Sequence, residues 1–295
     1  MKLLITGFNG FVAGSVIAHA KGNWEIHGIG RSENPLDEPD SYYHNLDLLD
    51  EQRFISLFNE ISPDAVIHAA AMANIDVCQV NQEMAERVNV GVTKMIARLC
   101  SEHGIKMVFC STDTIFDGIK GDYVETDLPH PINYYAETKV KGEQIVLLAS
   151  PKNIVARLGL VMGIPVIGKG NSFLADMIAK LGNGLEIPFP ANETRTPIDV
   201  ITLGSSLVEL AGNQFGGIIH LSGNTKINRY QMGLEIATTL GYPANLILAV
   251  DSNSMAGRAP RANDASMDNS LAKEVLKTPM RTLSEGLNLT LNFKI

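Results

Sequence analysis

The chain is short of the residues that staple, anchor or ligate. Its three cysteines, Cys78, Cys100 and Cys110, form no C-x-x-C pair, which argues against a disulfide framework or a zinc site. The seven histidines are scattered, without H-x-x-x-H or H-x-H spacing, so no metal centre is expected. Nothing approaches the ~18 uninterrupted apolar residues of a membrane span. The apolar run that starts at Leu3 meets Gly7 and Asn9 too soon for a signal-peptide core. These absences imply a reducing, cytoplasmic compartment. Basic residues are also in deficit, 24 against 32 acidic for a net charge of −8. That is a poor match for nucleic acid, but it leaves room for an anionic small ligand held by a few local Arg or Lys side chains.

What the chain does have is core. Its 295 residues are 45% hydrophobic and 19% charged, enough to bury a core without metal or disulfide staples. The order of elements is regular at first. Lys2 to Thr6 reads as a buried strand ending in glycines, Phe11 to Ala20 as a helix, and Glu25 to Ile29 as a second strand. Tyr42 to Leu46 is a weaker third strand, Glu51 to Ile61 a helix, and Ala65 to Ala71 a strand running into small residues. Asn81 to Glu102 carries Met84, Val88, Val92, Met95, Ile96 and Leu99 as one long helical stripe. Lys106 to Cys110, Tyr134 to Leu148 and Asn153 to Leu158 continue as strand, helix and strand. Such alternation predicts an α/β fold, a Rossmann-type doubly wound parallel sheet.

Past Leu158 the pattern breaks. Gly163, Pro165, Gly168 and Gly170 mark irregular chain before a helix at Phe173 to Leu181, and Pro188 and Pro190 mark another loop. Gly217 to Leu221 looks like a strand, followed by a helix at Tyr230 to Leu240. We therefore expect a dinucleotide-binding domain over 1–160 with a return to the sheet at about 194–222. A smaller C-terminal α/β substrate-binding domain would take 161–193 and 223–295.

The loop after the first strand is Gly7-Phe8-Asn9-Gly10-Phe11-Val12-Ala13. Small residues there allow a tight turn and close backbone approach to a pyrophosphate, which would sit against the free amides of the helix start. Alone, this G-x-x-G-x-x-A spacing is weak, and a plain structural turn is the alternative. Its place after the first strand of an alternating pattern favours a cofactor. Where an NAD site usually presents an acid to the ribose, this chain has Arg31-Ser32. That pair suits a 2′-phosphate and points to NADP(H), with NAD(H) as the alternative and a solvated surface arginine as the bland reading. Asp47 and Leu48 could meet the adenine, or Asp47 could cap the next helix. Ala69, Ala70 and Ala71 are small enough for a cofactor to lie across them.

Tyr135 and Lys139 stand four apart and would share a helix face. A phenol can exchange a proton with a carbonyl oxygen, and a nearby ammonium would bring its pKa down. The pattern is common by accident on surface helices. Ser111-Thr112-Asp113, at the end of the fifth strand, raises it, because a hydroxyl there can orient a carbonyl at the ligand-binding edge of the sheet.

With these residues placed, the chain resembles the extended short-chain dehydrogenases/reductases, most closely the dTDP-4-dehydrorhamnose reductase family. The specific stretches are Ser111-Thr112-Asp113-Thr114-Ile115-Phe116-Asp117-Gly118 and Glu125 through Lys139, with Gly142-Glu143 and Arg157 after them. The resemblance implies NADPH-dependent reduction of the 4-keto group of a nucleotide-linked 6-deoxysugar. Tyr135 would be the proton donor, Lys139 its electrostatic partner and nicotinamide-ribose ligand, and Thr112 the hydroxyl on the ketone. Ser111, Asp113, Phe116, Asn171 and Phe173 would meet substrate. Arg258 and Arg261 would reach diphosphate or sugar unless they are solvated loop residues.

The sequence departs from the family at Ala13, where glycine is commoner, and at His68, where Asn is frequent. Some members bind magnesium through glutamates at a subunit contact, but Ser15 takes the place of one such acid, so no metal is carried over. Two alternatives stay open. One is an NAD-dependent nucleotide-sugar epimerase; dehydration is disfavoured because Thr114 stands where dehydratases resembling this group have Glu. The other is a non-catalytic NADP-binding subunit resembling the regulatory subunit of methionine adenosyltransferase. A homodimer through the two long helices is expected from the superfamily.

Overall fold

The computed structural model describes residues 1–31, 41–167, 170, 172–252, 255 and 257–294. Ser32 and Asn171 lie outside them. In chain order come β1 (Lys2–Thr6), α1 (Phe11–Ala20), β2 (Glu25–Gly30), β3 (Ser41–Asn45), α2 (Glu51–Ile61), β4 (Ala65–His68), α3 (Ile75–Val80), α4 (Gln82–Ala85) and α5 (Val92–Glu102). Then follow β5 (Lys106–Thr112), α6 (Tyr134–Ala149), β6 (Ile154–Leu158), β7 (Val161–Met162), α7 (Phe173–Gly182), β8 (Ile187–Pro190), β9 (Thr194–Arg195) and β10 (Ile198–Asp199). The chain closes with α8 (Val200–Gly212), β11 (Gly217–Leu221), β12 (Ile227–Asn228), α9 (Arg229–Thr239), β13 (Ile247–Val250), α10 (Ser270–Val275) and α11 (Leu283–Asn292).

Seven strands form one parallel sheet in the order β11-β6-β5-β4-β1-β2-β3. The order reverses beside β1, which opens a crevice at the carboxyl ends of β1 and β4. The central strands are continuous apolar runs because both faces are covered. One face buries Leu3, Ile5, Val16, Ile17, Leu203 and Leu207 under α1 and α8. The other buries Leu4, Phe54, Phe58, Val66, Ile96 and Phe109 under α2, α5 and α6. Each such side chain contributes about 1.5–3 kcal/mol. α8 lies tight on α1: a Cβ at Gly204 would stand 2.7 Å from the Ser15 Cβ. Ser15, the position compared with a metal-binding acid, is thus buried in a helix crossing. Among the described residues, no helix is long and apolar enough to cross a membrane.

A third core lies outside the sheet. Met162, Leu174, Met177, Phe189, Met232, Ile236 and Leu287 pack together between α7, α9, α11 and β8. Here the structure corrects the sequence reading. Pro188 and Pro190 belong to a strand, β8, paired in parallel only with β13. A short edge strand tolerates proline because its outer N–H groups need no ladder partner.

Two other expectations change. The strand expected to run to Ala71 stops at His68. The single helix expected over 81–102 is α4, a π-helical turn at Glu86–Gly91, and α5. Buried Asn89 explains the irregularity. Its side chain accepts from the Met72 N–H at 2.8 Å and donates to the Met72 carbonyl at 3.1 Å, pinning the turn to the chain after β4.

Candidate active site

The glycine loop is built from backbone constraints. Gly7 has φ +74°, and a Cβ there would stand 2.9 Å from the Ala70 backbone. The Gly7 and Phe8 amides donate to the Ile29 carbonyl at 3.0 and 3.1 Å, and Gly10 N–H donates back to Gly7 at 2.7 Å. The Phe8 ring turns away from the cleft. It fills the place of a side chain at Gly28, is 1% exposed, and packs 5.3 Å from Tyr43. Phe8 can therefore offer a cofactor its backbone only, because its ring is core.

Phe11 and Val12 open α1, whose N-cap Gly10 gives no side-chain bond and whose first turn carries no acid. By contrast α2, α6, α7, α8, α9 and α11 are capped by Asp50, Asn133, Ser172, Asp199, Asn228 and Thr282. The first turn of α1 therefore has no side-chain cap from its N-cap residue.

A cleft of about 830 Å³ runs from this loop along the carboxyl edge. Gly7, Asn9, Gly10, Gly30, Arg31, Asp47, Leu48 and Ala69 to Ala71 line it, as do Met72, Met84, Val88 and Val92. The last three are one row of the apolar stripe seen in the sequence. The stripe could not distinguish a wall of this cleft from core. Asp47 accepts from Leu49 N–H at 3.0 Å and stands 4.0 Å from Arg31, whereas Asp50 caps α2. The Arg31 side chain is 77% exposed.

His68 sits beneath. Thr93 donates its hydroxyl to the Asn89 carbonyl at 2.6 Å, so it accepts from His68 Nε2 at 3.1 Å. His68 Nδ1 is then the acceptor for the Thr6 hydroxyl, 2.6 Å away. Burial keeps this ring neutral, with its pKa pulled down to about 3.

β5 and α6 bring Thr112, Tyr135 and Lys139 together. The Thr112 hydroxyl accepts from Thr114 N–H at 3.2 Å, donates to Asp113 Oδ1 at 3.3 Å, and lies beside Tyr135. Tyr135 is 9% exposed and Lys139 3%. Burial, followed by the nearby Asp113 carboxyl, raises the Tyr135 phenol above its ordinary range. The shift is upward, opposite to the lowering expected from Lys139. Lys139 lies 4.0 Å above the Phe109 ring, and burial brings its pKa down to about 8.

The predicted substrate residues divide. Asp113 is buried, its pKa raised by burial, with Oδ2 3.7 Å from Arg195 and without a hydrogen-bond partner. Phe173 packs 5.3 Å from the Arg229 guanidinium. Ser111 does not face the cleft as expected; its hydroxyl donates to Glu143 at 2.5 Å. Phe116 is fully buried and stacks on Tyr123 at 4.0 Å, so it is core. Arg258 and Arg261 are not free loop residues. Arg258 pairs with Glu193 at 2.5 Å and Arg261 with Asp76 at 2.8 Å. Asp76 also receives the Ala259 N–H, and Asn133 donates to the Pro260 carbonyl. These bonds strap 258–261 to α3, to the chain before β9 and, through Asn133, to the start of the Tyr135 helix. The sequence reading missed Asp76, Glu193, Arg195 and Arg229, which no motif singled out.

A doubly wound parallel sheet with a glycine loop after β1, a hydroxyl at the end of β5 and Tyr-x-x-x-Lys on α6 defines the extended short-chain dehydrogenase/reductase class. Within it, the family model described as the RmlD substrate binding domain matches residues 1–294, and the chain belongs to that family. The Haloferax volcanii protein named "Probable low-salt glycan biosynthesis reductase Agl14" is 28% identical over 97% of this chain and 96% of its own. Methionine adenosyltransferase 2 subunit beta of Xenopus laevis is 27% identical over 95% and 85%. Among solved structures, the dTDP-4-dehydrorhamnose reductase of Bacillus anthracis, in complex with NADP, superposes with a TM-score of 0.85 at 24% identity. That superposition covers 99% of each chain.

Proposed function

We propose that the protein is an NADPH-dependent ketoreductase that reduces the 4-keto group of a nucleotide-linked deoxysugar. The observation that carries this reading is the buried Tyr135 phenol beside Thr112, one helical turn from the buried Lys139 amine. The cleft fits a dinucleotide. Gly7 admits a backbone approach that any Cβ would block, and the uncapped start of α1 offers amides to a diphosphate. Arg31 stands at its rim, where it can meet a 2′-phosphate.

When bound, the cofactor supplies hydride to the carbonyl carbon. The chain's residues do the rest. Thr112 orients the ketone oxygen, Tyr135 gives it the phenolic proton, and Lys139 stabilises the phenolate left behind. Asp113, with its free oxygen, accepts from a sugar hydroxyl.

NADPH oxidation with a dTDP-4-keto-6-deoxysugar, beside a Tyr135→Phe control, tests the reading. The variant should lose about three orders of magnitude in turnover and keep its NADPH affinity, since only the proton donor is gone. Unchanged turnover would reject Tyr135 as the acid. The identity to a methionine adenosyltransferase subunit supports a second, regulatory reading. NADPH binding without turnover on any keto sugar would favour it.

A further inference from the structure

A polar row lies one residue below Thr112. Ser111, Arg157 and His220 are cross-strand partners on β5, β6 and β11. Arg157 is 2% exposed and grips the Glu143 carboxylate: Nε is 3.2 Å from both oxygens and Nη2 donates at 2.9 Å. The Ser111 hydroxyl donates to the same carboxylate. Glu143 is itself 3% exposed. Stability does not require such a pair, because apolar residues of similar volume often do as well or better.

The helix explains why the carboxylate is there. Tyr135, Lys139 and Glu143 are spaced by four and share one face of α6. Gly142 lets the Phe109 ring lie against the helix, where a Cβ would stand 2.7 Å away, and Lys139 rests on that same ring. Phe109 and Ser111 share a face of β5, so one seats Lys139 and the other holds Glu143. We propose that Glu143, clamped by Arg157, is a positioning residue that locks α6 to the end of β5, sets Tyr135 against Thr112, and holds the Lys139 ammonium with its negative charge.

The other groups facing Lys139 are uncharged near neutral pH. His68 on β4 is neutral, and burial pushes the Cys110 thiol on β5 up to about 12. Tyr135, on the same helix, is protonated. Glu143 is thus the negative charge among them, and its removal must disfavour the charged amine.

The inference rests on the reductase reading, so its first test needs no turnover. NMR of the full-length protein labelled at lysine Cε, with Lys139 assigned from Lys139→Met, follows the Lys139 midpoint. Glu143→Gln should lower that midpoint by about one unit or more and move the alkaline fall of kcat down with it. An unchanged midpoint overturns the electrostatic role.

Ser111→Ala keeps the ion pair and stays informative if Glu143→Gln does not fold. It should leave the Lys139 midpoint in place, lower kcat about tenfold and leave the KM for NADPH unchanged. Wild-type kcat in Ser111→Ala overturns the lock. A wild-type protein inactive on keto sugars would reject the reductase reading while the NMR result still judged the role of Glu143.

Discussion

The carboxyl edge of the sheet has two ends built from unlike materials. At the β1–β4 end the walls are main chain and small residues: Gly7, Gly10, Gly30 and Ala69 to Ala71. At the β5 end the groups gathered around Asp113 are charged side chains. Asp113, Glu193 and Arg195 are all buried, and Arg229 lies between Phe173 and Phe189 at 5.3 and 5.7 Å. Burial brings the Arg229 pKa down to about 10. Amides and glycines recognise what every dinucleotide has in common. Buried charges must be matched by specific partners, and they cost free energy when left unmatched. The first end therefore suits an invariant cofactor and the second a particular substrate.

Three substitutions probe that division. Gly7→Val should have the largest effect. It forces a branched residue to φ +74° and drives a Cβ into Ala70, weakening NADPH binding by about two orders of magnitude. Fluorescence titration of NADPH measures it, and near-normal affinity would mean that the backbone approach at Gly7 is not part of the grip.

Arg261→Ala releases the strap at the other end. The KM for the sugar nucleotide should rise about tenfold with kcat and NADPH affinity nearly kept. A loss confined to NADPH affinity would erase the distinction between the ends. Arg31→Ala should have the smallest effect, because this side chain is largely exposed. A roughly fivefold weakening for NADPH and none for NADH is expected; equal loss of both would remove Arg31 from the 2′-phosphate.

The sheet was legible because its signal is local. Runs such as Lys2–Thr6 and Ile154–Leu158 are apolar throughout, as strands covered on both faces must be. The glycine loop and the Tyr135–Lys139 spacing announce themselves for the same reason, since each function sits within a few residues. The third core was harder. β7, β9, β10 and β12 are two residues long, and β8 carries two prolines. Strands that short carry no period.

Local sequence was enough for the doubly wound sheet, the glycine loop after β1, and the Thr112, Tyr135 and Lys139 set proposed for the reaction. Only the tertiary structure decided which polar residues serve the cleft and which serve the frame. Ser111 and Thr112 are neighbours with hydroxyls, yet alternation along β5 gives one to Glu143 and sets the other beside Tyr135. Arg258 and Arg261 read in the sequence as diphosphate or sugar contacts or as solvated loop residues, and packing pairs them with Glu193 and Asp76, far away in sequence. The direction of the Tyr135 shift was likewise out of reach, because burial raises it, and burial belongs to the packed chain rather than to any spacing within it.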